Sequence, residues 1–228
     1  MFRLVFSAKR AEPLQERPLH QQPGRSLRGS ASQMDRFTVL NPVLLSGVRC
    51  YVDASTTPDH LSTTNRRAGL GIFIVNQQVQ PAQTIYIRAQ MSQAHSVLMA
   101  EAAALALATT IADQLHYNNV SFLSDCQQLV EFLNAPDLTN PPEWQIKYFT
   151  QMYVNSTGTR QAKIFKISRD LNATADTLAK QAFTATVPSS ANLNHVCSNA
   201  AHASQCPLRD ALHNVGINSV ILLAARCC

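Results

Sequence analysis

The chain has 228 residues, 46% of them hydrophobic and 14% charged, with a formal net charge of +5. That length holds one α/β domain with appendages or two small domains, and the apolar share excludes wholesale disorder. Seven glycines exclude collagen-like and glycine-linker classes, and no apolar run is read as approaching the roughly 18 residues of a membrane span.

The charge is unevenly divided. Residues 1–46 hold seven Lys/Arg against three Asp/Glu, residues 47–185 ten of each, and residues 186–228 two against one. The basic excess belongs to the ends, so the central segment is not a strongly basic nucleic-acid binder by composition. Six cysteines without CxxC spacing or an apolar secretory segment point to a reducing compartment, nucleus or cytoplasm.

Residues 1–46, with Pro13, Pro18, Pro23 and scattered arginines, read as a disordered basic leader. Strands are expected at Val48–Ser55, Leu70–Val75 and Gln83–Ala89, where β-branched and aromatic residues alternate with others. The alanine-rich stretch Ser92–His116 carries Val97, Leu98, Ala104, Leu105, Ala108, Ile111 and Leu115 at helical spacing. Val120–Leu123 is a short buried strand, and Ser124 or Asp125 can cap a helix running to Asn134. Glu143–Met152 resumes helical spacing, Ala162–Ser168 is a fifth strand, and Asn172 can cap a last helix to Phe183. The order β-β-β-α-β-α-α-β-α over residues 47–185 implies a mixed five-stranded sheet flanked by helices.

Residues 186–228 read as a Cys-, Ala- and Asn-rich C-terminal tail, in which Asp210–Leu223 can be a short helix or strand. His195, Cys197, His202 and Cys206 have H-x-C-x4-H-x3-C spacing, which is not that of a standard zinc knuckle. An unstructured tail is the expectation there.

Four carboxylates depart from an ordinary core pattern. Glu101 falls in the apolar stripe of its helix, where an ionised carboxylate costs several kcal/mol unless it is paired or binds a metal; the ordinary alternative is a helix-edge side chain reaching water. Asp53 ends a strand that otherwise suits a sheet centre, or opens an Asx-turn. Asp125 follows a strand and precedes a helix, where an N-cap completed by Gln127 or Gln128 is the simple account. Asp176 lies in the first turns of the last helix, where a carboxylate suits the helix dipole. Together they form the oxygen-rich set that hard divalent cations require.

These segments resemble a type 1 ribonuclease H domain, and most closely the reverse-transcriptase-associated, retroelement-like subfamily of plant genomes. YVDAS with Asp53 resembles the first motif, AGLGIFIVN its second strand, MAEAAALALA with Glu101 the helix motif and FLSDCQQLV with Asp125 the third. ISRDLNATADTLAKQA, with Asn172 and Asp176, resembles the closing motif. The chain departs from the family in carrying Ala54 after Asp53, where glycine is common, and in lacking a histidine within Ser168–Thr174. The resemblance implies a ribonuclease H-like α/β fold in which Asp53, Glu101, Asp125 and Asp176 hold two Mg²⁺ or Mn²⁺ ions. It also implies hydrolysis of the RNA strand of an RNA–DNA hybrid. Arg66, Arg67, Lys147, Lys180 and Asn172 are the candidate nucleic-acid contacts, and no membrane association is expected. The competing class is a retroelement-derived domain that keeps the fold and binds nucleic acid or protein without turnover.

Overall fold

The protein is described by a computed structural model covering residues 40–57, 66–158, 163–186, 193–198, 206–217 and 219–228. Residues 1–39 of the expected leader lie outside these. Residues 40–46 meet the domain: Pro42–Leu44 form a 3₁₀ turn, the Leu40 N–H donates to the Lys166 carbonyl, and Arg49 Nη1 donates to the Pro42 carbonyl.

Three strands form an antiparallel meander: β1 (Val48–Thr56), β2 (Ala68–Asn76) and β3 (Gln83–Met91). Val48, Cys50, Val52, Leu70, Ile72, Ile74, Ile85 and Ile87 are buried, and their spacing of two puts them on common faces. Tyr51, Phe73 and Tyr86 stand opposite one another in register and stack across the three strands at 5.6 and 5.0 Å.

Helix α1 (Val97–Gln114) begins where the apolar stripe does, five residues into the alanine-rich stretch expected from Ser92. Gln93 has φ 63°, outside helical space, and the Ser96 hydroxyl accepts the Met99 N–H at 3.0 Å as the N-cap. Its 18 residues have a mean hydropathy of 1.3, the length and apolarity of a membrane span, which corrects the expectation that no such run exists. The cause of that apolarity is packing: 72% of the helix is buried inside the fold, against β1, β2 and a later helix.

Strand β4 (Val120–Ser124) returns parallel to β1. Helices α2 (Gln127–Asn134) and α3 (Lys147–Thr157) lead to β5 (Lys163–Lys166), parallel to β4, and α4 (Ala173–Thr184) follows. Two expected caps are corrected. Cys126, not Ser124 or Asp125, occupies the N-cap of α2 and makes no side-chain cap bond; the Ser124 hydroxyl accepts the Cys126 N–H instead. Asn172 occupies the N-cap of α4, but its side chain turns inward and caps nothing.

Helix α4 lies on β1, β2 and β3 at very close range. A Cβ on Gly69 would sit 2.1 Å from the Ala179 carbonyl oxygen, and one on Gly71 2.1 Å from the Ala175 carbonyl oxygen. Only glycine allows this approach. Alternation puts Leu70, Ile72 and Ile74 on the opposite face of the sheet, which α1 covers.

The sheet has seven strands, ordered β5-β4-β1-β2-β3-β7-β6, not the five expected. The extra two come from the presumed tail: β6 (Asn194–Cys197), α5 (Pro207–His213) and β7 (Val220–Cys227). β7 pairs antiparallel with β3 and β6 pairs parallel with β7, so the segment beyond residue 186 extends the sheet where an unstructured tail was expected. The unit that contains the sheet runs from Phe37 to Cys228, beyond the expected limits of 47 and 185. The architecture is a mixed sheet with flanking helices, as expected, enlarged at one edge by β7 and β6.

Candidate active site

Parallel pairing of β1 with β4 sets Val52 opposite Ser124, so the next residues are neighbours: Asp53 inside β1, and Asp125 just past the carboxyl end of β4. In parallel sheets such strand ends are the usual place for ligands. Glu101, one turn into α1, comes to the same point. Carboxylate oxygens of Asp53, Glu101 and Asp125 all lie within 4.8 Å of one another.

Burial decides between the readings each residue left open. Glu101 is 6% exposed and its Oε2 has no hydrogen-bond partner among the described residues, so it is not a helix-edge group reaching water. Asp53 is 5% exposed within β1, which continues to Thr56, so it does not open a turn. Asp125 spends its side chain on two donors, Arg169 Nε and Asn172 Nδ2, each at 3.0 Å, not on capping α2.

Crowding three acids sets their protonation. Burial, then the charges of Asp125 and Asp176, push Asp53 up to about 8. Burial and the neighbouring Asp53 and Asp125 raise Glu101 well above the usual carboxylate range. Burial alone would raise Asp125 too, but the hydrogen bonds from Arg169 and Asn172 outweigh it and hold Asp125 below its ordinary value. Burial and neighbouring charge therefore work against ionisation of Asp53 and Glu101, while the donors on Asp125 favour its carboxylate. A buried, partnerless carboxylate oxygen among hard oxygen donors fits a divalent metal ion.

Asp176 stands outside the trio, although close enough for its charge to act on Asp53. It pairs with Lys180 one turn along α4 at 2.7 Å. Sequence reasoning assigned Lys180 to phosphate; the structure engages its ammonium with Asp176. Asn172 is also corrected: it is 1% exposed, and its Nδ2 donates to the Val52 carbonyl at 2.9 Å as well as to Asp125, so it positions the site from within and is no surface contact. Arg66 donates to the His95 carbonyl and borders a cleft of about 300 Å³ with Ser96, Cys126, Gln128 and Glu143. Ser96 donates to Glu143 across that cleft. Arg67 precedes β2 and Lys147 opens α3, both exposed.

Two features escaped the sequence reading. Arg169, 85% exposed, is the cation on Asp125; its only signal was membership of the closing motif, three residues ahead of Asn172. Lys166 reaches back from β5, donating to the carbonyls of Asp125 and Ile167, and so holds the loop that carries the carboxylate.

Comparison with solved structures finds chains of similar fold. RNase H1 from the halophilic archaeon Halobacterium salinarum is 20% identical with a TM-score of 0.45, over 60% of this chain and 97% of that one. The N-terminal RNase H domain of a Mycobacterium tuberculosis protein, solved as a fusion with maltose-binding protein, is 17% identical with a TM-score of 0.47, over 60% and 99%. Prototype foamy virus protease-reverse transcriptase is 22% identical with a TM-score of 0.49, over 65% of this chain and 22% of the viral one. Comparison with curated protein sequences finds no match. A family model described as reverse transcriptase-like matches residues 59–182, a span that contains Glu101, Asp125, Asn172 and Asp176 and begins just after Asp53. On that match across more than half its length, the chain belongs to the reverse transcriptase-like family.

Proposed function

We propose that this chain is a metal-dependent endonuclease that hydrolyses the RNA strand of RNA–DNA hybrids and leaves a 5′ phosphate. The observation that carries the reading is the convergence of Asp53, Glu101 and Asp125 within 4.8 Å, with a Glu101 oxygen buried and unpartnered. Family membership and the likeness of the closing motif to reverse-transcriptase-associated ribonuclease H support a retroelement origin.

Asp53, Glu101, Asp125 and Asp176 are the residues that would hold Mg²⁺ or Mn²⁺, two ions in all. Such a pair, when bound, supplies an activated water and stabilises the leaving 3′ oxygen. The chain's own contribution is to organise the ligands. Bound cations would favour the ionised forms of Asp53 and Glu101, while the donors on Asp125 already favour its carboxylate. Arg169 and Asn172 fix the Asp125 carboxylate in place, and Lys180 holds Asp176 beside the cluster until a cation competes for it. RNA is selected through its 2′-hydroxyls, and the DNA strand is gripped by phosphate contacts and shape. The exposed Arg67 and Lys147 are candidate cations for those phosphates, as is Arg66, which also donates to the His95 carbonyl. Because residues 47–185 carry ten charges of each sign, the basic residues 1–46 supply much of the electrostatic grip.

The test is a substrate panel. The full chain with Mg²⁺ or Mn²⁺ is offered hybrid, duplex DNA and duplex RNA, each strand labelled in turn. RNA-strand cleavage in the hybrid alone is the expected result. Hybrid binding without cleavage in either metal would replace the enzyme by the binding module.

A further inference from the structure

A second cluster of metal-ligating side chains lies far along the sheet from the carboxylates, at the edge formed by β6 and β7. We propose that His195, Cys197, Cys206 and Cys227 form a structural zinc site that clamps β6, the start of α5 and the end of β7 into one unit.

The backbone brings His195, Cys206 and Cys227 together and sets Cys197 beside Cys227. His195 and Cys197 are two residues apart on β6, so their side chains leave the same face of the strand. Parallel pairing sets Cys197 directly opposite Cys227. Cys206 is the N-cap residue of α5, which delivers a thiol from the helix start. A ring nitrogen of His195 and the Sγ atoms of Cys206 and Cys227 all lie within 4.8 Å of one another. The Cys206 and Cys227 sulfurs are 3.6 Å apart. Two thiolates on one tetrahedral zinc, each with a bond of about 2.3 Å, stand about 3.7 Å apart, whereas a disulfide needs about 2.05 Å. The Cys197 thiol also lies against Cys227.

An independent observation points the same way. His195 Nε2 is buried and has no hydrogen-bond partner among the described residues, although an imidazole nitrogen shut away from water ordinarily finds one. Cys206 and Cys227 are each 4% exposed, so the thiols sit in a closed pocket and not at a reactive surface. Three thiolates and one imidazole around Zn²⁺ leave a net charge of −1, and the Arg209 guanidinium is close enough to act on His195. That neighbourhood would be awkward for a bare cation and suits an anionic zinc–thiolate centre. Soft sulfur donors also separate this site from the all-oxygen carboxylate cluster, which suits Mg²⁺ or Mn²⁺.

Such a centre gives the short elements a reason to hold. β6 has four residues and α5 seven, so neither would persist alone and each depends on what it packs against. Because β7 pairs with β3 in the central sheet, the metal ties the C-terminal segment to the domain core.

The test is elemental analysis of the full chain purified without chelator, with cobalt substitution as a second readout. The parent is expected to carry about one zinc per chain. Metal-depleted parent titrated with Co²⁺ is expected to develop thiolate-to-cobalt charge-transfer and tetrahedral d–d bands, a readout that requires no variant. Cys206→Ser should lose most of the zinc, while Glu101→Gln should retain it, since the carboxylate cluster is separate. Zinc content unchanged in Cys206→Ser, a zinc-free parent with no cobalt–thiolate bands, or a Cys206–Cys227 disulfide in protein made in a reducing cytosol would each overturn the proposal.

Discussion

Asp53→Asn should stabilise the protein when no divalent ion fills the carboxylate cluster, and the gain should grow with pH. Asp53 has a pKa of about 8 in the folded chain against an ordinary 3.8, so between those values the native state binds one more proton than the unfolded state. The stability tied to this proton is fully present below pH 4 and is lost as pH rises through about 8. Each pH unit in that window removes about 1.4 kcal/mol from the parent and nothing from the asparagine variant. From pH 5 to pH 7 the variant should therefore gain up to about 2.7 kcal/mol on the parent, an upper bound because the neighbouring acids share the strain. The assay is urea unfolding of both full-length chains at pH 5, 6 and 7, in buffer stripped of Mg²⁺ and Mn²⁺ but free of chelator. Adding Mg²⁺ should then favour the parent, by about 1.4 kcal/mol at ten times its Kd. A stability difference that is flat with pH, or that grows in the parent's favour, would refute the claim that burial and like charges strain this carboxylate.

Asp125→Asn should behave oppositely in the metal-free protein, since its carboxylate is already ionised and paired with Arg169 and Asn172; its unfolding curves should show no gain at neutral pH, while cleavage disappears. Asn172→Ala removes donors from the Val52 carbonyl and Asp125 and should cost on the order of 1–3 kcal/mol in urea unfolding, with reduced cleavage. Gly71→Ala forces a Cβ to within 2.1 Å of the Ala175 carbonyl oxygen, so α4 must shift and carry Asp176 with it; a loss of at least about 2 kcal/mol and weaker metal affinity by calorimetry are expected. Lys180→Ala should change stability by less than about 0.5 kcal/mol, because its pair with Asp176 is an exposed i,i+4 contact, and should leave the folded yield unchanged.

Two of the carboxylates, Glu101 and Asp53, were legible because each breaks a local rule. A glutamate on an apolar helix stripe and an aspartate within a sheet-centre strand stand out against periodicity alone, and burial explains why: Glu101 and Asp53 are inside. Their meeting point required the parallel β1–β4 register, which no local pattern encodes. Asn172 shows the limit of capping logic. The residue occupies the N-cap position as expected, yet its amide is drawn inward by the Val52 carbonyl 120 residues away in sequence. Arg169 carried no periodic signal because an exposed loop arginine resembles any solvated charge until its partner, 44 residues distant, is in place. The C-terminal segment was misread for the same reason. Val220–Cys227 has few polar residues to mark a strand's two faces, and its partner β3 lies far earlier in the chain. Cys227 was invisible as a ligand because linear spacing of His195, Cys197, His202 and Cys206 says nothing about a thiol delivered by strand pairing; His202 itself lies outside the described residues.

The central claim is that the buried carboxylates make this chain a metal-dependent nuclease for hybrids. It is tested most directly by single-turnover cleavage of a labelled RNA–DNA hybrid, with parent and Glu101→Gln chains compared across a Mg²⁺ series. The account predicts RNA-strand cleavage that requires Mg²⁺ in the parent and falls by at least about a thousandfold in the variant, since Glu101 brings the partnerless buried oxygen to the cluster. No cleavage by the parent at any Mg²⁺ concentration, or cleavage that persists undiminished in Glu101→Gln, would contradict it.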